Sequence, residues 1–398
     1  MVNEYSGLNT GYSVYGRNLF KELHKTGKYE LAELSCYLHQ GDSSCKQFPW
    51  RCYPNVPHPE DKQNHQVYTS DPANSFGKWN FEKVCLDFKP DIVIGFKDFW
   101  MEKFVQESPF RKYFRWGWMC PSDGVAIEPE WLALYSQVDG LFCYNDWSKD
   151  CLEKSGLKIE GVPSPVAEEC FRPFDKKKLK EDFGLANTKI VGVVSRNQAR
   201  KLFPDILKSF RELLNRTKRQ DILLYLHTQI YDQGWDIAEL LKENGLTSKV
   251  ILSYICRSCG FCFPGHYADD LQTCKRCHQR NVHSAGVQAG FPGEVLAQVY
   301  GIMDILVQWS TCEGFGMPMV ESAACGTPIV NVGYTAMSDV GPKLHAEVIE
   351  PLSFTKDVST KRLFAVPNNE KLVDYLEEFF NLPTSLQSLK GMDARQGF

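Results

Sequence analysis

The stretch from Met303 to Pro328 constrains the fold most. An apolar run, Met303 to Val307, gives way to a polar approach, Trp309-Ser310-Thr311-Cys312, and Glu313-Gly314-Phe315-Gly316 then turns the chain. Pro318 follows, and Met319 to Cys325 is small and apolar at helical spacing, closed by Gly326. Proline suits the first turn of a helix and glycine the residue just past its last, so the order is strand, glycine loop, helix. Glu313 then lies in the loop and Glu321 roughly one turn into the helix. The helix start offers N–H groups without intrahelical partners and the positive end of the dipole, which suit an anion. Two carboxylates accept hydrogen bonds from hydroxyls. A ligand with both phosphate and vicinal diols, a nucleotide sugar, fits that set. The plainer alternative is a helix with two surface carboxylates behind a simple turn.

This stretch resembles the Glu-x7-Glu signature of GT-B glycosyltransferases of the family-4 type. The resemblance implies an α/β chain of two Rossmann-like domains facing a cleft, and glycosyl transfer with retention. It implies that Glu313 contacts donor-sugar hydroxyls, that the amides of Gly314, Phe315 and Gly316 contact sugar and phosphate, and that Glu321 holds the ribose diol. The loop Ser6 to Gly16 matches the family's glycine loop over the donor phosphate, with Thr10, Gly11 and Tyr12 at the matching positions. Arg196 and Lys201 match its Arg-x4-Lys, whose cations neutralise the diphosphate; Arg200 is the weaker candidate. A departing nucleotide diphosphate needs fixed cations in a water-poor site, whatever the family. The alternative, surface charge at a helix start, sets cations against the dipole. The chain is also similar to glycosyltransferases of tailed bacteriophages, whose acceptors include surface polysaccharides and hydroxymethylated bases of phage DNA.

Strands read at Tyr29 to Tyr37, Ile92 to Phe96, Arg115 to Cys120 and Gly140 to Tyr144, with helical patterns at Phe81 to Phe88 and Trp131 to Gln137. That alternation argues a parallel sheet covered by helices. Gln40 to Ser75, rich in Pro, Asn, His and Asp, reads as a long irregular connection suited to acceptor contact. Asp98 and Asp123 follow two of the strands, where such sheets bind ligands. Many relatives carry a His where Asp123-Gly124 falls; an Asp there can take a hydroxyl proton, and Asp-Gly is also ordinary turn chemistry. The first strand reads as shortened, and the tail helix as stopping soon after Pro383. Gly161 to Pro173, with its prolines, marks the crossing between an acceptor domain (1–165) and a nucleotide-sugar domain (166–398).

Within the second domain, residues 255–284 interrupt the pattern with Cys256-Arg-Ser-Cys259 and Cys274-Lys-Arg-Cys277. Paired C-x2-C knuckles are the spacing of a zinc ribbon, and four cysteine ligands close the metal's shell, which argues a structural ion. Redox-active dithiols compete. Arg257, Lys275, Arg276 and Arg280 against Asp269 and Asp270, with Phe261, Phe263 and Tyr267, give it a mix that can meet nucleic acid. Phe171 to Gln220 is basic too, fourteen Lys/Arg against five Asp/Glu, which suits a diphosphate or a polyanion.

Fifteen cysteines, an odd number, and no export signal or membrane-length apolar run place the chain in a reducing cytoplasm, that of a bacterial host if phage-encoded. No catalytic divalent metal is expected. The chemistry expected is transfer from a UDP- or GDP-linked sugar to a hydroxyl of a polysaccharide, glycan or modified DNA. A flipped base would need an aromatic pocket, for which Phe99, Trp100, Trp116 and Trp118 are candidates. A non-catalytic zinc-dependent binding module on a degenerate fold is the rival.

Overall fold

The computed structural model describes residues 1–124, 128–268, 272–286, 289–358 and 361–398. The chain divides into two compact units, Met1–Pro165 and Val166–Phe398.

The first unit is a six-stranded parallel sheet of β1 (Val2–Glu4), β2 (Ala32–His39), β3 (Arg51–Val56), β4 (Ile92–Gly95), β5 (Arg115–Cys120) and β6 (Gly140–Cys143). Their spatial order, β3-β2-β1-β4-β5-β6, is that of a Rossmann sheet, whose strand order reverses between β1 and β4. Although only three residues long, β1 is central, in parallel register with both β2 and β4. The stretch Gln40 to Ser75 is not an irregular connection. It holds β3 and a helix, Lys62–Thr69. Pro54 hid the strand, yet β3 is an edge strand, where a missing N–H costs nothing on the outer side. Trp116 and Trp118 alternate along β5 onto one face, stack 5.1 Å apart and are fully buried in the core. They therefore line no base pocket. Phe99 packs on Trp131, and Trp100 alone of the four is exposed.

The second unit repeats the plan. The strands of its main sheet are β7 (Lys189–Val194), β8 (Ile222–His227), β9 (Val250–Cys256), β10 (Cys262–His266), β11 (Val282–Ser284), β12 (Ile305–Gln308), β13 (Ile329–Val332) and β14 (Glu347–Ile349). The order β9-β8-β7-β12-β13-β14 is again the Rossmann order, its reversal falling between β7 and β12. β7 is a nearly continuous apolar run, as a strand covered on both faces must be. The helix Phe203–Thr217 buries Phe203, Ile206, Leu207, Phe210, Leu213 and Leu214, one stripe at three- and four-residue spacing, with Pro204 in its first turn. The tail does not stop at Pro383: a helix, Thr384–Gly397, follows and donates from Arg395 to the Ala324 carbonyl. Sequence reading missed it because its buried positions, Gln387, Gly391 and Ala394, are small or polar rather than apolar.

The cysteine-bearing insertion grows out of β9. The first half of β9 pairs in parallel with β8, while β10 runs antiparallel along its other edge. Where β8 ends, β11 pairs antiparallel with Tyr254–Cys256. Asp269 and Asp270, read as the ribbon's acidic residues, lie outside the described residues. No described helix is long and apolar enough to cross a membrane.

Candidate functional site

In the second unit, the loops after β7 and β12 meet at the strand-order reversal. Glu313, 5% exposed, is held by four side chains. Its Oε1 accepts from Lys201 Nζ, from Gln308 Nε2 at 2.9 Å and from Ser310 Oγ at 2.7 Å; Oε2 accepts from Arg200 Nη1 at 2.8 Å. Burial opposes its ionisation, but the charges of Arg200 and Lys201 and the bonds from Lys201 and Ser310 outweigh it, leaving the carboxyl at about 2. Lys201, 7% exposed, is pulled down to about 8 by burial and by neighbouring Arg200, against the pull of Glu313. Both members are charged at neutral pH.

The backbone of this carboxylate is pinned as firmly. Glu313 N donates to Thr335 Oγ1 at 2.9 Å, and Ala336 N to the Glu313 carbonyl at 3.3 Å. Thr335 is fully buried with φ +52°, a conformation a β-branched residue adopts only when its surroundings over-determine it. Nothing in the sequence flagged Thr335 beyond its place in the segment after β13. Gly316 sits at φ +97°, the left-handed region that glycine tolerates, and opens the helix Met317–Ala324.

Glu321 lies in that helix, 9% exposed, and accepts from Tyr300 Oη at 2.7 Å. Burial raises its carboxyl to about 7, the Tyr300 bond opposing and Glu168 reinforcing the shift. A folded value above the ordinary 4.5 means that the native state holds the extra proton. Its contribution, about 3 kcal/mol from the size of the shift, is complete below pH 4.5 and is lost as pH rises through 7. Thermal unfolding of Glu321→Gln is therefore expected to lose that alkaline decline between pH 5 and 8; an unchanged slope would count against a buried, titrating carboxyl.

Arg196 stands apart from this cluster. Its Nε and Nη2 donate to the Asp232 carboxylate at 2.8 and 3.3 Å. Asn197, fully buried, fixes that arrangement: Nδ2 donates to the carbonyls of Gln229, Ile230 and Trp235, and Oδ1 accepts from Trp235 N. The loops after β7 and β8 are thus one piece. Arg200, the weaker candidate by sequence, is the arginine on Glu313. Its signal lay in adjacency to Lys201, which the family spacing masked.

In the first unit, Gly11 and Tyr12 open a helix, Gly11–Lys25, capped by Thr10, whose hydroxyl also donates to the Glu4 carboxylate. The Tyr12 phenol is held well above its ordinary range by burial, then by Asp98, Tyr144, Asp123 and Glu4. Tyr12, Asp98 and Asp123 therefore gather beyond the ends of β1, β4 and β5. Buried Glu33 ties down the loop before the helix, accepting from Ser6 N and Oγ, Ser35 Oγ and Trp50 Nε1. His227 is structural: it shares a hydrogen bond with Ser253 and burial keeps its ring near 4, uncharged.

The sulfurs of Cys256, Cys259, Cys274 and Cys277 all lie within 4.8 Å of one another. Cys256 and Cys277 are 3.6 Å apart, Cys259 and Cys274 3.7 Å. Tetrahedral zinc with Zn–S bonds of about 2.3 Å spaces its sulfurs about 3.8 Å apart, whereas a disulfide needs about 2 Å. The set fits a tetrahedral metal.

Residues 261–391 match the family model described as "Glycosyl transferases group 1". No curated protein matches the chain. Among solved structures, sucrose-phosphate synthase from Thermosynechococcus elongatus superposes with a TM-score of 0.66 at 15% identity, over 100% of this chain and 90% of that one. Anabaena HepE in complex with UDP and glucose gives 0.64 at 12%, over 99% and 92%. WaaG, a glycosyltransferase involved in lipopolysaccharide biosynthesis, gives 0.58 at 12%, over 96% and 90%. These likenesses show a GT-B-like fold of two Rossmann-like sheets, and the group 1 match is confined to residues 261–391, within the second unit.

Proposed function

We propose that the protein transfers a sugar from a UDP- or GDP-linked donor to a hydroxyl acceptor, with retention at the anomeric carbon. The observation that carries this is Glu313, buried with Lys201 and held by half-buried Arg200 at the reversal of the second sheet, with Glu321 buried eight residues on. Negative charge grows on the departing diphosphate as the sugar bond breaks; fixed cations placed for that charge lower the barrier without reorganising. Lys201 fills that role, so no catalytic divalent metal is proposed. Glu313 and the amides of Gly314, Phe315 and Gly316 would hold the sugar, and Glu321 the ribose diol. In the first unit Gly11 and Tyr12 would add donor contacts, and Asp123 or Asp98 would receive the acceptor's proton. The UDP and glucose bound by HepE agree with such a donor.

Cys256, Cys259, Cys274 and Cys277 would hold zinc with a closed shell, so its work is structural. The cytoplasm, which keeps thiols reduced, suits that chain of fifteen cysteines. For the acceptor, a glycan or polysaccharide is favoured, because burial of Trp116 and Trp118 removes the best candidates for gripping a flipped base. Hydroxymethylated DNA of a bacteriophage is the second reading, favoured by the exposed Arg257, Lys275, Arg276 and Arg280 of the ribbon.

Incubation with labelled UDP- and GDP-sugars, with glycan acceptors and hydroxymethylated DNA in parallel, tests the proposal. Slow donor hydrolysis alone and faster release with one acceptor are expected. A chain that consumes no nucleotide sugar in any combination is not a transferase.

A further inference from the structure

We propose that Arg200, not Arg196, is the second cation on the donor's diphosphate, paired with Lys201; this rests on the glycosyl-transfer reading above. The two arginines flank the same short loop, but the fold treats them differently. Arg196 is paired through two of its nitrogens with Asp232, whose side chain is only 13% exposed, so that pair carries no net charge. Asn197 locks the Asp232-bearing loop in place, and moving Arg196 toward a phosphate would strand Asp232 without its cation.

Arg200 faces the other way. Its carbonyl accepts from Thr311 N at 2.9 Å, and Nη1 donates to the Cys312 carbonyl at 3.0 Å and to Glu313 Oε2 at 2.8 Å. Arg200 and Lys201 thus grip one carboxylate from both oxygens, and the three side chains sum to a single positive charge. Unlike Lys201, whose side chain is 8% exposed, that of Arg200 remains 31% exposed. A planar guanidinium with five N–H donors can hold a carboxylate and a phosphate together. A diphosphate arriving at the loop amides meets the net charge of Arg200 and Lys201, while Arg196 is already neutralised. Arg200 is also tied to the backbone of the loop that carries Glu313, so a phosphate on Arg200 fixes the donor's position relative to that carboxylate.

The test is calorimetric titration of uridine, UMP and UDP, with guanosine, GMP and GDP in parallel, into the full chain and its variants. Arg200→Gln is expected to weaken diphosphate binding about ten- to a hundredfold and to leave the nucleoside unchanged, as loss of a charged hydrogen bond does. The gain from mono- to diphosphate is what disappears. Arg200→Lys restores part of that gain, which a purely structural role of Arg200 would not produce. Arg196→Gln should change diphosphate affinity less than about threefold, because Arg196 contacts Asp232 and not the phosphate. The assignment is overturned if Arg196→Gln removes the diphosphate gain and Arg200→Gln keeps it. A wild-type chain that binds neither UDP nor GDP sinks the glycosyl-transfer reading and this inference together. Wild-type binding with both variants intact sinks this inference alone.

Discussion

Glu313→Ala is expected to lower kcat/KM for sugar transfer on the order of a thousandfold, the usual scale for removing a group aimed at the reacting centre. It is also expected to destabilise the second unit by about 3–5 kcal/mol, because Lys201 would stay buried without its partner. The two effects are separable. Glu313→Gln keeps the shape and the bonds from Ser310 and Gln308, so it should recover part of the stability but not the activity. The carboxyl sits at about 2 rather than the ordinary 4.5, a folded value below the unfolded one. Its contribution, about 3 kcal/mol, is therefore present above pH 4.5 and lost as pH falls through 2. Acid unfolding of the wild type should show that loss, and Glu313→Gln should be flatter across the same window. Full activity in a folded Glu313→Ala chain would remove Glu313 from the chemistry.

The second large effect belongs to the cysteines. Purified protein is expected to carry one zinc per chain by mass spectrometry of the metal, and Cys274→Ser to lose it. Structural zinc contributes about 10–16 kcal/mol of apparent binding energy in small ribbons, so its removal should open the local fold. Backbone hydrogen exchange should rise in β10 and β11 while β7 and β12 stay protected. The ribbon is not isolated from the donor loops, because Ile230 N donates to Ser284 Oγ at 3.3 Å and His227 shares its bond with Ser253. Donor affinity should therefore fall modestly in the same variant. Metal-free protein with paired disulfides in its place would mark the four thiols as a redox centre instead.

Several features were legible in the sequence. The apolar run of β7, the helix stripe of Phe203–Thr217 and the proline–glycine punctuation around Met317–Ala324 are local patterns, and local patterns survive folding. β3 and the last helix were not legible. Pro54 disguised an edge strand, and Gln387, Gly391 and Ala394 bury a face that hydrophobic periodicity cannot detect. Trp116 and Trp118 read equally well as pocket or core until β5 placed both on the buried face.

The alternation of strand and helix, the spacing of Glu313 and Glu321, and the four-cysteine set were readable along the chain, because each depends only on near neighbours. Which arginine serves Glu313 depends on the folded chain, since Arg196 and Arg200 are four residues apart but meet partners in the loops after different strands. Asp232, brought in behind β8, takes one; the loop after β12 takes the other. Charges find their partners across the sheet, and strand order, not spacing along the chain, chooses the pair.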